Sequence, residues 1–343
     1  MNKHAPPPGL TTTGSRRAAE SAPRGQEEAP ATPSARARQA RFRILSLDGA
    51  GARAPYMLGA LGHIETLLQK PLYAHFDLIV GAGVGAAIGS LLALGGMVDE
   101  IETAYRAHLA PVMAAGSAEA RANRLSAATR KVFAGRSFAD MKTPMAIVAT
   151  RVASGQPHLF LSHRLGGEAG EQTHVPGDGV GLADAVIASC SAHPVFRSKF
   201  VKSASGEILE LIDGGFCANN PSLLAIAQAK AAGIGPQSRM RVVAIGGGAF
   251  GQLKPAPLSR AWIAKHFMAA ELVQRAFEIN TQTVEHLLPT LFPDVPIVRI
   301  GQRHRERTMG MFEHRPALIP GLRSRGEAAC VAGSDLLREA LFA

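Results

Sequence analysis

Three glycine-rich turns in the sequence each follow a short apolar run, and two of them begin with an aspartate. The turns lie at residues 48–53, 81–85 and 213–215, and Asp48 and Asp213 open the first and the third. Proteins of the α/β class place their sites at turns that follow the carboxyl ends of strands. Backbone N–H groups there can stabilise negative charge, and a carboxylate can exchange a proton. We therefore expect the three turns to meet in one site that carries out proton-transfer chemistry.

Four segments resemble, in order and in spacing, the motifs of the patatin-like phospholipases. Residues 48–53 (DGAGAR) are similar to the DGGGxRG loop of that family, and residues 76–85 (FDLIVGAGVG) to the strand and turn that carry its GxSxG. Residues 188–196 (ASCSAHPVF) resemble its ASxAxPxxF segment, and residues 213–221 (DGGFCANNP) resemble its DGG/A…NNP element. The resemblance holds over residues 42–248.

The resemblance implies a three-layer α/β/α fold with a mostly parallel central sheet, and hydrolysis of phospholipids or other lipid esters. It also implies a Ser–Asp dyad without a metal or organic cofactor, in which Asp213 accepts the proton of the nucleophile. The oxyanion hole would be formed by the backbone N–H groups of Gly49, Ala50, Gly51 and Ala52. Arg53 would fix this loop through an ion pair or add positive potential near a phosphate headgroup. The other supporting positions are Gly81, Gly85, Gly214, Gly215, Asn219 and Asn220.

One residue departs from the family pattern at its centre. Gly83 stands where the nucleophilic serine belongs, and glycine has no oxygen with which to attack. Because glycine tolerates the strained dihedrals of a nucleophile elbow better than serine does, we expect the turn to persist. We expect hydrolysis to be lost or strongly impaired, since attack by a water that Asp213 deprotonates would be very slow.

The other nucleophilic side chains of these segments are not expected to replace the serine. Ser90 lies about two helical turns beyond the elbow, and Ser46 lies inside the preceding strand. Ser189, Cys190 and Ser191 belong to a segment that the resemblance places beside the site. Nothing in the sequence brings their side chains to the elbow.

Two alternative functions fit parts of the same sequence. The first is a non-catalytic protein that binds lipid or a partner through the retained cleft and a basic surface. The second is a dinucleotide-binding protein, because Gly81–Ala86 fits the GxGxxA fingerprint, with Asp99 and Glu100 near the spacing of a ribose-binding acid. Too few residues precede those acids to form the strand that should carry them. This alternative also leaves the first and third turns unexplained, so we favour the hydrolase scaffold.

Strands alternate with helices along the chain, which favours a mostly parallel sheet covered on both faces. Strands are predicted at residues 42–47, 76–80, 145–150, 159–162, 208–212, 241–245 and 297–300. Helices are predicted at residues 55–69, from the second turn to residue 94, and at residues 99–113, 184–191, 221–232 and 258–288.

Composition divides the chain into a tail, residues 1–41, and one domain, residues 42–343. The tail is basic, rich in Pro, Ala and Arg, and lacks Val, Ile and aromatic residues, so we predict that it is disordered. The net charge of +10 suits an anionic surface such as phospholipid. One Trp and three Tyr offer few stacking platforms for nucleic acid, which we do not expect as a partner.

Localisation and metal binding are predicted from what the sequence lacks. The three cysteines show no CxxC or zinc spacing and fit a reducing cytosol, and the twelve histidines show no metal-binding spacing. We find no apolar run of the roughly 18 residues needed to span a bilayer, and no signal peptide. We predict a cytoplasmic protein without a bound metal, in which any membrane contact is peripheral. The sequence carries no signal of oligomeric state.

Overall fold

The computed structural model describes residues 41–165, 175–248, 261–301, 310–312 and 319–342. Apart from residue 41, the predicted disordered tail lies outside the described residues. Within the described ranges, no helix combines the length and the apolar character that crossing a membrane requires.

The described strands form a single mixed sheet in which parallel pairs predominate. Its order is β5-β6-β3-β2-β1-β7-β8, and β4 also pairs with β3. The pairs β1–β2, β1–β7, β2–β3 and β7–β8 are parallel, whereas β3–β4, β3–β6 and β5–β6 are antiparallel. The strands are β1 (Phe42–Leu47), β2 (Leu78–Ala82), β3 (Met145–Arg151), β4 (Pro157–Leu161), β5 (Lys199–Lys202), β6 (Ile208–Asp213), β7 (Met240–Ile245) and β8 (Ile297–Ile300).

Helices cover both faces of the sheet, which confirms the predicted three-layer α/β/α fold. Successive strand residues point to opposite faces, so Leu45 of β1 packs with α1, α2 and α5, while Ile44 packs with α7 and α8. The helices are α1 (Ala54–Leu68), α2 (Val84–Ala93), α3 (Val98–Ala104), α4 (Ala118–Val132), α5 (Leu182–Ser189), α6 (Gly215–Ala218), α7 (Ser222–Ala231), α8 (Ala261–Leu291), α9 (Ile319–Ala332) and α10 (Ser334–Phe342).

Among the predicted elements whose bounds differ from the observed ones, two lie beside the elbow or the pocket. The strand predicted at residues 76–80 runs two residues later, because its ladder with β1 begins at Leu78 and continues to Gly81. The helix predicted at residues 99–113 ends as α3 at Ala104 and continues as a π-helical turn, Tyr105–Leu109, and a 3-10 turn, Ala110–Ala114. The proline at position 111 has no N–H to donate to a continuing α-helix.

Five of the described elements were missed in the sequence: α4, β5, α6, α9 and α10. Of these, α9 packs against α1, and the backbones of the two helices lie in direct contact. A Cβ added at Gly326 of α9 would meet the carbonyl of Tyr56, and one added at Gly59 of α1 would meet the carbonyl of Arg323. Only glycine allows this approach, so the end of the described chain belongs to the same core as the first helix.

Candidate active site

The turn between β2 and α2 has the sharp geometry of a nucleophile elbow. Gly83 adopts a φ of 54° and a ψ of −128°, a conformation that L side chains rarely adopt. Its N–H donates to the Oγ of Ser189 at 3.0 Å, and that hydroxyl donates to the carbonyl of Val148 at 2.6 Å. The prediction that nothing brings Ser189 to the elbow is therefore wrong. Its hydroxyl holds the turn, and its proton is directed to a carbonyl rather than to a base.

The two glycines that flank the elbow allow it to lie directly against the end of β1. A Cβ at Gly81 would lie 2.5 Å from the carbonyl oxygen of Gly85, and a Cβ at Gly85 would lie 2.5 Å from that of Asp48. Real Cβ atoms essentially never approach another heavy atom to under 3.0 Å. A side chain at Gly85 would therefore separate the elbow from the end of β1 and the first glycine-rich turn, and one at Gly81 would separate β2 from the start of α2.

Asp213 lies beside Gly83, although its strand runs in an unexpected direction. We expected the turn at 213–215 to follow a parallel strand, but β6 is antiparallel to β3. The strand register nevertheless brings Asp213 to the same end of β3 as the elbow. Ala149 of β3 pairs with Asp213, and the preceding Val148 pairs with Ala82, next to Gly83. A Cβ built on Gly83 would lie 3.3 Å from Oδ1 and 3.4 Å from Oδ2 of Asp213.

The carboxyl group of Asp213 is buried, with the residue only 6% exposed. Its Oδ1 accepts a hydrogen bond from the N–H of Gly215 at 2.7 Å, and its backbone carbonyl accepts one from Thr150 Oγ1 at 2.8 Å. Burial raises the pKa of Asp213 to about 7, and the Gly215 hydrogen bond opposes this only in part. The group can therefore exchange a proton near neutral pH.

The first glycine-rich turn provides fewer free N–H groups than predicted. The N–H of Gly49 donates to the carbonyl of Asn219 at 3.0 Å, and that of Ala52 donates to the carbonyl of Met311 at 2.8 Å. Both amides thus hold the turn in place and are not available to an oxyanion. Within the described parts of the chain, Ala50 and Gly51 have no backbone acceptor for their N–H groups. Of the four predicted N–H donors to the oxyanion, the amides of Ala50 and Gly51 remain as candidates.

Arg53 is a structural residue in this fold. It is 4% exposed, and its guanidinium donates to the carbonyl of Gly248 in the turn after β7. Burial lowers the pKa of Arg53 to about 9, although Glu278 and Asp48 oppose the shift. Of the two interpretations of Arg53, fixing the loop agrees with this contact to the Gly248 carbonyl.

Arg299 of β8, which was not recognised in the sequence, forms the ion pair of the first turn. Its two terminal nitrogens contact the carboxylate oxygens of Asp48 at 2.9 and 2.5 Å, and its Nε contacts Glu285 at 2.7 Å. Burial alone would lower the pKa of Arg299, but the two carboxylates raise it above its usual value. A single charge within the apolar run IVRI was the sequence signal for a buried pair.

The remaining predicted residues fix the turn that follows Asp213. The N–H of Asn219 donates to Asn280 Oδ1, and its side-chain amide donates to Thr281 Oγ1, both at 2.8 Å and both on α8. Asn220 Oδ1 accepts from the N–H of Ser222 at the start of α7. Close packing explains two glycines: a Cβ would meet a β3 carbonyl at position 214, and Phe277 and Asn219 at position 215.

An apolar pocket opens at the elbow. Gly83 and Asp213 form its polar end, and the π-helical and 3-10 turns after α3 form part of one wall. Its empty volume is about 710 Å³, counting the open space at its mouth. Apolar side chains dominate the lining and include Leu109, Val112, Leu125, Val186, Phe196 and Phe277.

The dinucleotide alternative does not agree with the observed elements. Asp99 and Glu100 lie in the first turn of α3, not at the end of a strand, so they are not placed as ribose-binding acids. Among the described residues, no three His, Cys, Asp or Glu side chains come together in a group that could hold a metal ion.

Residues 45–226, more than half of the chain, match the family model described as "Patatin-like phospholipase". The chain belongs to the patatin-like phospholipase family. The match includes the three glycine-rich turns and the pocket residues up to Asp213, so the family and the geometry concern the same part of the molecule.

Curated relatives of the chain are named as phospholipases. A "cUMP-AMP-activated phospholipase" of Escherichia coli is 41% identical over 302 residues, which cover 88% of this chain and 94% of that protein. A "cGAMP-activated phospholipase" of Escherichia coli (strain TW11681) is 26% identical and is covered over 56% of its length. The human "Calcium-independent phospholipase A2-gamma" is 29% identical, and the match covers 26% of that longer protein.

Proposed function

We propose that this chain is a lipid acyl hydrolase scaffold in which the hydrolytic step is lost or strongly impaired. One observation supports it above all: a side-chain carbon at position 83 would lie 3.3–3.4 Å from both carboxylate oxygens of Asp213. A serine at this position would carry its Oγ on that carbon, within hydrogen-bond reach of the carboxylate. The geometry of a Ser–Asp dyad is thus retained around a residue that has no hydroxyl.

The retained groups have defined roles in ester cleavage. Asp213, with its pKa of about 7, is suited to take the proton of an attacking hydroxyl and to return it to the leaving alkoxide. The N–H groups of Ala50 and Gly51 are the candidate donors to the oxyanion, and the apolar pocket takes the acyl chain. With Gly83, no acyl–enzyme ester can form, and a water must attack the carbonyl directly. Loss of the catalytic side chains from a serine hydrolase lowers turnover by about 10⁶-fold.

The direct test is to compare Gly83→Ser with Gly83→Ala. Both variants place the same carbon at the same strained dihedrals, but only serine supplies the oxygen. We expect Gly83→Ser to hydrolyse p-nitrophenyl esters and phospholipid vesicles at least about 10³-fold faster than the wild type or Gly83→Ala. The double variant Gly83→Ser/Asp213→Asn should lose this gain, because the base is removed.

The opposite results would refute the proposal. Hydrolysis by the wild type at the rate of Gly83→Ser would show that position 83 does not carry the nucleophile. A folded Gly83→Ser variant that is inactive both alone and with cUMP-AMP would show that Asp213 and the first turn do not form a competent site. Folding of each variant is checked by circular dichroism and by its unfolding midpoint.

A response to a cyclic dinucleotide is the second candidate function. It rests on the 41% identical relative, whose name states activation by cUMP-AMP and whose sequence is covered over 94% of its length. We expect cUMP-AMP to raise the unfolding midpoint of the wild type, since a ligand at 100 times its Kd stabilises the folded state by about 2.7 kcal/mol. 3′,3′-cGAMP serves as the comparison ligand. An unchanged midpoint with both nucleotides at millimolar concentration would contradict this candidate.

A further inference from the structure

The polar end of the pocket has an unusual composition for a ligand site. Asp213 is buried and faces the space beside Gly83, where this chain has no side chain. Within the described residues, Oδ1 has the Gly215 N–H as its donor, and Oδ2 has no protein donor. Thr129, also on the pocket wall and fully buried, has no hydrogen-bond partner for its Oγ1. Polar groups therefore remain to be satisfied inside an otherwise apolar cavity.

Charge further restricts what this pocket can bind. The described residues that line it include Asp213 but no Lys, Arg or His. The nearby cations of the first turn are already engaged: Arg299 pairs with Asp48 and Glu285, and Arg53 contacts the Gly248 carbonyl. An anion without its own proton would therefore enter beside a carboxyl group with no cation to balance it. A ligand that shares a proton with Asp213 avoids this repulsion.

We propose that the wild-type chain binds a non-esterified long-chain fatty acid, with its carboxyl group between Gly83 and Asp213 and its alkyl chain in the apolar pocket. This inference rests on the proposed function, because it takes the pocket to be the acyl site of a hydrolase scaffold. An atom at the Cβ position of residue 83 would lie 3.3–3.4 Å from both oxygens of Asp213. A ligand carboxyl oxygen close to this point can share one proton with the carboxylate, and the N–H of Gly51, on the same pocket wall, is the donor to its second oxygen.

Gly83 is what distinguishes this site from that of a serine hydrolase. A serine would fill the point beside Asp213, and its hydroxyl would form the hydrogen bond with this carboxyl group that the ligand forms here. An ester can accept the proton of Asp213 only on a neutral carbonyl oxygen, which forms a weaker hydrogen bond than the carboxylate of the acid does. The site is therefore expected to prefer the free acid to its methyl ester.

The affinity should depend on pH in a defined direction. Among the described residues, the titratable side chains whose pKa Asp213 affects are the thiols of Cys190, at the end of α5, and Cys217, on α6. Burial raises the pKa of both, and Asp213 adds to the rise. Both thiols stay neutral over the range of interest, so Asp213 supplies the shared proton. Above its pKa of about 7 that proton must be taken up from solvent. The Kd for the acid should then rise about tenfold per pH unit.

The experiment measures binding of palmitate to the whole purified chain, by calorimetry and by displacement of cis-parinaric acid, at about pH 6 and about pH 8.5. At pH 6, palmitate should bind at least about tenfold more tightly than methyl palmitate. At pH 8.5, palmitate should bind more weakly than it does at pH 6. Gly83→Ala should weaken binding at pH 6 about tenfold or more, since its methyl group occupies the carboxyl position. Asp213→Asn should abolish the pH dependence.

A matched pair of variants tests the alkyl chain position. Ala110 is half-buried on the pocket wall, whereas Ala107 is exposed in the adjoining turn and does not line the pocket. Ala110→Trp should reduce palmitate binding about tenfold or more, and Ala107→Trp should leave it unchanged.

Three results would overturn the inference. The first is the absence of saturable palmitate binding by the folded wild type. The second is equal affinity for palmitate and its methyl ester, and the third is an equal effect of the two tryptophan variants. An active Gly83→Ser variant combined with a wild type that does not bind palmitate would refute this inference and leave the proposed function standing. Palmitate binding combined with a folded Gly83→Ser variant that is inactive both alone and with cUMP-AMP would refute the proposed function instead.

Discussion

Replacing Asp213 with asparagine should stabilise the protein, by an amount that grows with pH. The pKa of this carboxyl is about 7 in the folded chain, against 3.8 for an ordinary aspartate. Each pKa unit corresponds to 1.36 kcal/mol, so the folded state loses about 4 kcal/mol when the group must ionise in place. Asparagine keeps the acceptor for the Gly215 N–H, at 2.7 Å in the wild type, and never ionises.

The sign of the effect follows from the raised pKa. Below about pH 4 the group is protonated in both folded and unfolded chains, so Asp213→Asn should change the free energy of unfolding little. Between about pH 4 and pH 7 unfolding releases a proton, and the wild type loses about 1.4 kcal/mol of stability per pH unit. Above pH 7 the difference should level off near its full value, with the variant more stable.

Urea unfolding of both proteins at several pH values between about 4.5 and 8.5 measures the difference, with the m value as a check that the two-state comparison holds. Asp140→Asn is the matched control, because hydrogen bonds from Ser137 lower the pKa of Asp140. Removing the Asp140 carboxylate should therefore destabilise the protein at neutral pH, the opposite sign to Asp213→Asn. A difference for Asp213→Asn that does not change with pH, or a variant less stable than the wild type at pH 8.5, would refute the argument.

Two further predictions concern contacts that hold the first turn and the first helix. Arg299→Met should lower the free energy of unfolding by about 3–5 kcal/mol, because it leaves the buried Asp48 carboxylate without its partner at 2.5–2.9 Å. Gly326→Ala should lower the free energy of unfolding by at least about 1–3 kcal/mol, because its methyl group would meet a backbone carbonyl of α1. Both are measured by chemical denaturation of the otherwise unchanged chain.

Each of these two variants has a control: a second substitution in the Asp48–Arg299 ion pair for the first, and another glycine of α9 for the second. Adding Asp48→Asn to Arg299→Met should recover part of the loss, and a double variant as unstable as the sum of the single ones would show that the pair does not interact. Gly321→Ala lies on the same helix, α9, with no atom within 4 Å of the added methyl group, and should be neutral or slightly stabilising. Equal effects at positions 321 and 326 would contradict the close helix contact.

Much of the fold was predictable because its signals are local. Short apolar runs precede the glycine-rich turns after β1, β2 and β6, and the resemblance of these turns to the family motifs singled out Gly83 and Asp213. The direction of β6 was not predictable in this way. A strand and its turn have the same sequence pattern whether the strand runs parallel or antiparallel to its neighbour, and only pairing with β3 decides between them.

Other features depended on contacts between distant residues. No local pattern shows that Ser189 accepts the N–H of Gly83, because 106 positions separate them. The amides of Gly49 and Ala52 looked available in the sequence, and only the fold supplies Asn219 and Met311 as their acceptors. The helix α4 was missed because it is predominantly polar, with few apolar positions to mark a buried face.

The pairing of Asp48 with Arg299 has a consequence for the order in which the site is assembled during synthesis. The two residues are 251 positions apart, so the glycine-rich turn leaves the ribosome long before the guanidinium that fixes it. Until β8 joins the edge of the sheet, the turn next to the elbow has a buried acid without a partner. A nascent chain that ends before residue 299 can contain every motif of the family and still lack a fixed site. Binding of a lipid in this pocket is therefore expected to begin only after Arg299 has left the ribosome and β8 has joined the sheet.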